Sequence, residues 1–240
     1  MNTAYSLKEC LRRLNSKDAL LHHIDIFRER TGVAGATALA GALERGSFPA
    51  LRCIGLNRIN IGDEGATELA AVLERGSCPK LQDIDLRGNN IGDEGAKALA
   101  GALERGSFPK LAFIGLEDNI IDNEGARALA GALERGSFPA LHVISLCDNY
   151  IEDEGATALA GALVRGSFPV LRRIELHGNI IGDEMEHQLD NAIAAMHCRI
   201  RLVAFLGAEL SRLPHTAAMR FLRLDGDRAV MHRVVKFLKS

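Results

Sequence analysis

LQDIDLRGNNIGDEGAKALAGALERGSFPK, residues 81–110, decides the fold, because the same phrase recurs along the chain with a period of 30 residues. Further copies open with the same leucine, at Leu51, Leu111, Leu141 and Leu171. An eroded copy opens at Leu21. The repetition therefore predicts six similar units between residues 21 and 198.

Each unit contains the pattern of a strand followed by the pattern of a helix. Ile84 and Leu86 stand two residues apart, which is typical of a strand about five residues long whose alternate side chains face one core. Ala96, Leu99 and Leu103 recur at helical spacing and predict an apolar stripe along one face of a helix. We therefore expect the strand and the helix of each unit to pack against each other.

Polar residues and glycines predict where the helices begin and end. We expect side-chain caps at the helix starts, provided by Asp63, Asp93, Asn123, Asp153 and Asp183. We expect left-handed glycine caps at the helix ends, at Gly46, Gly76, Gly106, Gly136 and Gly166.

The phrase LxxIxLxxNxI at constant spacing resembles leucine-rich repeats of the ribonuclease-inhibitor-like type. The resemblance implies an α/β leucine-rich-repeat solenoid, with a curved parallel sheet on the concave side and α-helices on the convex side. It also implies a structural ladder of side chains that bond backbone between units, formed by Asn89, Asn119, Asn149 and Asn179. Glu29 and Ile59 interrupt this ladder, so we expect looser ordering at the N-terminal end.

Three regions follow from the repeat boundaries. Residues 21–198 form the six repeats, and a solenoid needs covers because its end units expose an apolar flank. We expect an N-terminal helical cap at residues 1–20, where Ser6 and Glu9 have the spacing of a capping box. We expect a C-terminal helical cap at residues 199–240, with helices at 202–213 and 230–238.

Composition and charge exclude several classes of partner. The formal net charge of −2 predicts neither a nucleic-acid nor a membrane-surface partner. The longest apolar run has seven residues, too few for a membrane helix. Five cysteines without a CxxC pair argue against a disulfide framework and a structural zinc site. We expect a cytoplasmic or nuclear monomer without a cofactor.

The repeats differ from one another on the side that should be concave. The second residue after each opening leucine reads His23, Cys53, Asp83, Phe113, Val143 and Arg173. The sixth residue reads Phe27, Asn57, Arg87, Glu117, Cys147 and His177. Such variation is typical of a binding surface with apolar anchors, although drift after duplication would also produce it.

Catalytic and metal-binding motifs have little support. No HExxH, GxSxG or GxGxxG motif occurs. Glu117, Cys147 and His177 fall on three successive strands and include zinc ligands and a nucleophile pair, but so varied a surface also produces such triples by chance. We therefore predict no enzymatic activity and no metal site.

We predict a scaffold or adaptor that binds a protein partner through the concave face and the adjoining loops. The candidate binding residues are Phe27, Asp83, Asp85, Arg87, Phe113, Glu117, Val143, Tyr150, Arg173 and His177. The alternative is a regulator of an enzyme, an inhibitor or a GTPase activator, because the family includes both. That alternative needs a partner-facing asparagine or arginine, and Arg87 and Arg173 are available.

Overall fold

The computed structural model describes residues 3–29, 31–166 and 168–210, with side-chain positions as far as Met196. Strands and helices alternate along this part of the chain. The strands are β1 (Thr3–Ala4), β2 (His23–Phe27), β3 (Cys53–Asn57), β4 (Asp83–Asp85), β5 (Phe113–Gly115), β6 (Val143–Ser145) and β7 (Arg173–Glu175). The helices are α1 (Leu7–Asn15), α2 (Gly32–Glu44), α3 (Gly62–Glu74), α4 (Asp93–Arg105), α5 (Asn123–Arg135), α6 (Asp153–Arg165) and α7 (Asp183–Leu210).

The strands form one parallel sheet in the order β1 to β7. Residues 30 positions apart pair across neighbouring strands, as Ile54 pairs with Ile84. The predicted solenoid of strand and helix repeats is therefore confirmed. One strand was not predicted: Thr3 of β1 pairs with His23 and extends the sheet ahead of the first repeat.

The core lies between the sheet and the helices. Ile54 and Leu56 of β3 are fully buried, as are Ala66 and Leu69 of α3. A second buried row lies where each helix turns back towards the next strand, and it comprises Phe48, Cys78, Phe108, Phe138 and Phe168.

The asparagine at the end of each later strand joins two units. Asn119 Oδ1 accepts hydrogen bonds from the backbone N–H of Asn89 (3.1 Å) and of Ile91 (3.0 Å) in the preceding unit. Its Nδ2 donates to the backbone carbonyls of Leu86 (3.2 Å) and Leu116 (3.0 Å). This one buried amide therefore satisfies backbone groups on both sides of the unit boundary.

The two units without this asparagine show the most extensive strand pairing. β2 and β3 are five residues long, whereas β4 to β7 are three residues long. Glu29 instead accepts the backbone N–H of Leu7 at 3.1 Å, which joins the first unit to the start of α1. Ile59 is 1% exposed and fills its position with an apolar side chain. The looser ordering expected at this end stays a prediction.

The predicted helix caps act on a different helix from the one expected. Asp93 lies inside the first turn of α4, and its Oδ1 accepts the backbone N–H groups of Asp122 and Gly125, both at 2.9 Å, at the start of α5. Asp63 and Asn123 make the same two bonds to the following unit, and Asp153 makes the first of them, to the backbone N–H of Gly182. Each side chain therefore caps the helix of the next unit, because it reaches across the short distance between stacked helices.

The expected left-handed glycine caps are also wrong at four of the five positions. Only Gly76 has a positive φ, of 73°. The other four glycines precede a buried phenylalanine, and a Cβ there would overlap its ring, as at Gly106 and Phe108. In the Gly76 unit that phenylalanine is replaced by Cys78, and no atom lies within 4 Å of the equivalent Cβ position. At four of the five positions, glycine is needed because a phenylalanine ring packs close to the backbone, and not because φ is positive.

The two ends differ in how far they match the expected caps. Ser6 Oγ accepts the backbone N–H of Glu9 at 3.3 Å, but the Glu9 carboxylate bonds Arg12, so only half of a capping box forms.

Helix α7 continues without a break through the expected boundary at residue 198, as far as Leu210. The chain divides into two compact units, Met1–Ile193 and Ala194–Ser240. The second predicted C-terminal helix, at 230–238, lies outside the described residues.

Two substitutions, Asn119→Ile and Ile59→Asn, should each lower the free energy of unfolding. Asn119→Ile leaves several buried backbone groups unpaired, each costing about 1 to 3 kcal/mol. Ile59→Asn buries an amide where the Thr31 N–H already bonds Glu29 O at 2.7 Å; we expect a loss of about 1 to 3 kcal/mol. Denaturant titration measures both losses. A gain in stability from Ile59→Asn would show that the first units accept the asparagine ladder.

The carboxyl groups of Asp93 and Asp122 form a hydrogen-bonded pair at the start of α5. Burial first, and the Asp122 carboxyl second, raise the pKa of Asp93, while the hydrogen bond with Asp93 lowers the pKa of Asp122. A protonated Asp93 that donates to an ionised Asp122 explains both directions. In the next unit Asn123 Nδ2 makes the permanent form of this bond, to Glu152 Oε2 at 3.2 Å.

Asp93→Asn should therefore stabilise the protein at pH 7 by about 0.5 to 1 kcal/mol. In the wild type, the bond is present at acid pH and is lost as the pH rises through the raised pKa of Asp93. Denaturant titrations from pH 7 downwards should show the advantage of the variant shrinking. Asp153→Asn is the matched control, since the residue equivalent to Asp122 is here Gly182, which has no side chain. An equal gain in Asp153→Asn would contradict this explanation.

Candidate functional site

The side of the sheet opposite to the core consists of the second, fourth and sixth residues after each opening leucine. We call this side the strand face. Its second-position residues pair in register across the strands, in the order His23, Cys53, Asp83, Phe113, Val143 and Arg173. Because alternate side chains of a strand point to opposite sides, burial of Ile54 and Leu56 turns their neighbours towards the strand face.

The apolar residues of the strand face are less exposed than expected. Phe27 is 55% exposed, and the guanidinium carbon of Arg28 lies 5.0 Å from its ring centre. Phe113 and Val143 are half-buried. The Phe113 ring lies over Gly115, with a ring carbon 2.8 Å from where a Cβ of that glycine would stand. Phe27 is therefore the one fully projecting anchor of the three.

An exposed apolar row follows the ends of the later strands. Ile120, Tyr150 and Ile180 are 48%, 55% and 60% exposed. Backbone hydrogen bonds join each of these loops to the loop of the preceding unit. Tyr150 N donates to Ile121 O and Ile180 N donates to Ile151 O, both at 2.9 Å. We call these three residues the rim stripe. Repeat geometry makes it a continuous surface beside the strand face.

The arginines of the strand face are engaged in ion pairs. The Arg87 guanidinium lies 3.1 Å from the Asp85 carboxylate and 3.2 Å from the Glu117 carboxylate. Arg173 pairs with Glu175 at 3.0 Å. Neither arginine is therefore an unpaired cation that projects towards a partner.

Three carboxylates lie around Cys53 of the second unit: that of Asp25 from the first unit, and those of Asp83 and Asp85 from the third. The Asp25 Oδ1 lies 3.2 Å from where a Cβ of Gly55 would stand, so this glycine leaves room for Asp25 to lean over β3. Burial first raises the pKa of Asp83, and Asp85 adds to this while His23 opposes it. Burial and these three carboxylates together raise the pKa of Cys53 to about 12. We call Asp25, Asp83 and Asp85 the acidic cluster.

Asp25 was missed by the sequence analysis, which compared the second and sixth positions but not the fourth. The fourth position reads Asp25, Gly55, Asp85, Gly115, Ser145 and Glu175. The signal was available in the sequence, since a glycine between two aspartates in one column predicts space next to negative charge.

Arg58 also has a role that its sequence position did not suggest. Its guanidinium pairs with Asp118, two units away, at 3.0 Å. The side chain passes over Gly88, where a Cβ would stand 2.5 Å from Arg58 Cγ. Gly88 therefore permits an ion pair that skips one repeat.

The chemical triple considered in the sequence is only partly assembled. The Cys147 Sγ lies 3.0 Å from His177 Nδ1, but Glu117 pairs with Arg87 instead. Cys147 is 2% exposed, and burial first raises the pKa of its thiol. No group of three histidine, cysteine or acidic side chains within the described ranges has the geometry to hold a metal ion.

The repeated residues on the helical side serve contacts between units. Arg105 pairs with Glu74 of the preceding unit at 2.6 Å, and Arg135 pairs with Glu104 at 2.6 Å. The recurrence of Leu-Glu-Arg is therefore explained by the stacking of repeats. Within the part of the chain that the structure describes, no helix is both long and apolar enough to cross a membrane.

Comparison with known proteins agrees with this architecture. A family model described as Leucine Rich repeat matches residues 77–100. No curated protein sequence matches the chain. The solved structure of leiomodin-1 actin-binding site 2 has a TM-score of 0.55 at 15% identity, covering 87% of this chain and 100% of that one. The C-terminal domain of tropomodulin from Caenorhabditis elegans has a TM-score of 0.52 at 14% identity, covering 83% of this chain and 98% of that one.

These likenesses bear on the fold and not on individual residues. The expected leucine-rich-repeat architecture is confirmed by the family match and by both structures. The ribonuclease-inhibitor-like type stays a prediction. At these identities no binding residue of either protein can be transferred to this chain.

Cys147 should behave as a buried thiol and not as an activated nucleophile. Its raised pKa lowers the thiolate fraction, and burial blocks access. We expect iodoacetamide at pH 8 to modify Cys147 much more slowly in the folded protein than in denaturant, as followed by peptide mass spectrometry. His177→Ala should not slow that reaction. A marked decrease in His177→Ala would instead identify a working Cys and His pair.

Proposed function

We propose that this leucine-rich-repeat chain is a scaffold or adaptor that binds a protein partner through the strand face and the rim stripe. The observation that carries the proposal is the rim stripe, where three large apolar side chains about half exposed follow one another on successive units. Contiguous exposed apolar surface of this kind is typical of interaction sites. Among the helical residues whose side chains are described, as far as Met196, Val164 is by contrast the one large apolar residue that is exposed.

The size of the strand face explains why the rim has to take part. Six strands leave five gaps, about 24 Å in all, and a strand of five residues adds about 17 Å across. The product is about 400 Å², whereas a standard interface buries about 800 Å² per partner. The rim stripe adds surface in the loops that follow the strands, which begin at Phe113 and Val143 in two of these units, and its central residue Tyr150 combines a large apolar area with one polar group.

The structural neighbours support a protein as the class of ligand. The leiomodin-1 structure is that of an actin-binding site. Leucine-rich-repeat solenoids bind partners on extended surfaces and are interaction modules rather than enzymes. We therefore propose a protein partner of unspecified identity, with the residues of this chain as the only guide to the site.

The alternative of an enzyme regulator that acts through an arginine gains no support. Arg87 is held by Asp85 and Glu117, and Arg173 is held by Glu175. An arginine that stabilises another protein's reaction would have to break these pairs.

Truncating one strand-face residue and one rim residue should weaken partner binding. The partner is first captured with the wild-type chain as bait and identified before any variant is tested. In calorimetry with the identified partner, Phe113→Ala and Tyr150→Ala should each reduce the binding free energy by about 1 kcal/mol or more. Thermal melts check that each variant is folded.

Two variants on the helical side serve as controls. Val164→Ala removes an exposed apolar side chain of α6, and Lys97→Glu reverses a charge on α4; both should leave affinity nearly unchanged. If these two variants lose affinity while Phe113→Ala and Tyr150→Ala bind normally, the helical side is the binding surface and the proposal is wrong.

A further inference from the structure

The acidic cluster lies on a sheet face that no element of the described chain covers. Asp25, Asp83 and Asp85 project from the first and third units and lie around Cys53 of the second. Of the three carboxylates, only that of Asp85 makes a salt bridge to a described residue, and its partner Arg87 also pairs with Glu117. The cluster therefore carries more negative charge than the neighbouring arginine neutralises.

The unsatisfied groups of this region are all hydrogen-bond acceptors. Within the described ranges, the carboxylates of Asp25 and Asp83 have neither a hydrogen bond nor an ion pair, and the buried Oδ1 of Asn57 has no hydrogen-bond partner. Asp83 is half-buried, so part of its hydration is lost without compensation. His23, whose strand position is in register with Cys53, opposes the raised pKa of Asp83. A ligand that suits this surface has to supply donors and positive charge.

We infer that the acidic cluster receives a lysine or arginine side chain of the protein partner, an inference that rests on the proposed function. A cation of the partner would complete the hydrogen bonding of Asp25 and Asp83, and it would compensate their lost hydration. A nucleic acid is disfavoured because its phosphates carry the same sign of charge. The cluster thus specifies a basic partner segment, where the rim stripe specifies only an apolar one.

Sheet geometry gives the spacing of the partner's contact residues. Phe113 stands in register with Asp83 on the adjacent strand, and its own strand lies two positions beyond that of Cys53. Two strand spacings amount to about 10 Å. The partner should therefore present its basic residue about 10 Å from an apolar one, which matches residues seven apart on a helix or about three apart in an extended segment.

Selection from a library of random dodecapeptides tests this chemistry without knowledge of the partner. The full chain serves as bait, alongside the double variant Asp25→Asn/Asp83→Asn and the control Glu64→Gln/Glu68→Gln. The control removes the same number of negative charges from exposed positions on α3. Neither aspartate makes a bond that asparagine would break, so the double variant should fold, and a thermal melt verifies this.

The wild type and the control should enrich peptides that carry lysine or arginine near an apolar residue. In calorimetry, an enriched synthetic peptide should bind the double variant at least about tenfold more weakly, the loss of one charge-assisted contact. Raising the salt concentration should weaken binding to the wild type more than binding to the double variant.

Failure of this inference is distinguishable from failure of the proposed function. Enrichment of peptides without basic residues, no enrichment at all, or equal affinity for the double variant would overturn the basic-partner inference. If peptides of purely apolar character bind and are lost with Tyr150→Ala, the proposed function stands without it. If enriched basic peptides lose affinity equally for the control variant, the charge on the helical side is responsible and the acidic cluster is not the site.

Discussion

The rest of the structure depends on the backbone groups that each strand leaves unpaired where it enters the following loop. Those groups are buried, so they need partners, and one unit cannot supply them by itself. The ladder asparagine of the next unit does so, as Asn149 donates to Leu116 O and accepts from Ile121 N. From the third unit onwards each unit completes its predecessor, so there the register of the sheet and the spacing of the helices follow from this contact.

Contacts between units also explain which residues repeat. Asp93 caps the helix of the following unit, Arg105 pairs with Glu74 of the preceding one, and Gly106 accommodates the ring of Phe108. Each of these residues is held in place by stacking, so each recurs. The contacts that strand-face residues make between units, such as Arg87 with Glu117 and Cys147 with His177, are not repeated from unit to unit, so these positions differ. The constancy of the helical side is therefore a consequence of repeat stacking and does not by itself argue against binding there.

The strand face changes character along the solenoid. The first three units present the acidic cluster, whereas the later units carry Phe113 and Val143 at the starts of their strands and the rim stripe in the loops that follow the strands. Arg87 stands between the two parts and bonds both Asp85 and Glu117. A partner that fits this surface has to combine positive charge at one end with apolar side chains at the other, which is more selective than either feature alone.

The sequence by itself determined the repeat, the order of strand and helix, the buried positions and the register that aligns the strand-face columns, because a period of 30 residues fixes which side chains become neighbours. Only the tertiary structure decided which unit each side chain serves. Asp63 and Asp93 cap the helix of the next unit, and four of the five glycines at the helix ends accommodate a phenylalanine ring. The acidic cluster forms because Gly55 leaves space for the Asp25 side chain above the neighbouring strand. A periodic sequence shows which residues are equivalent, but short distances between stacked units make bonding across a boundary as accessible as bonding within it.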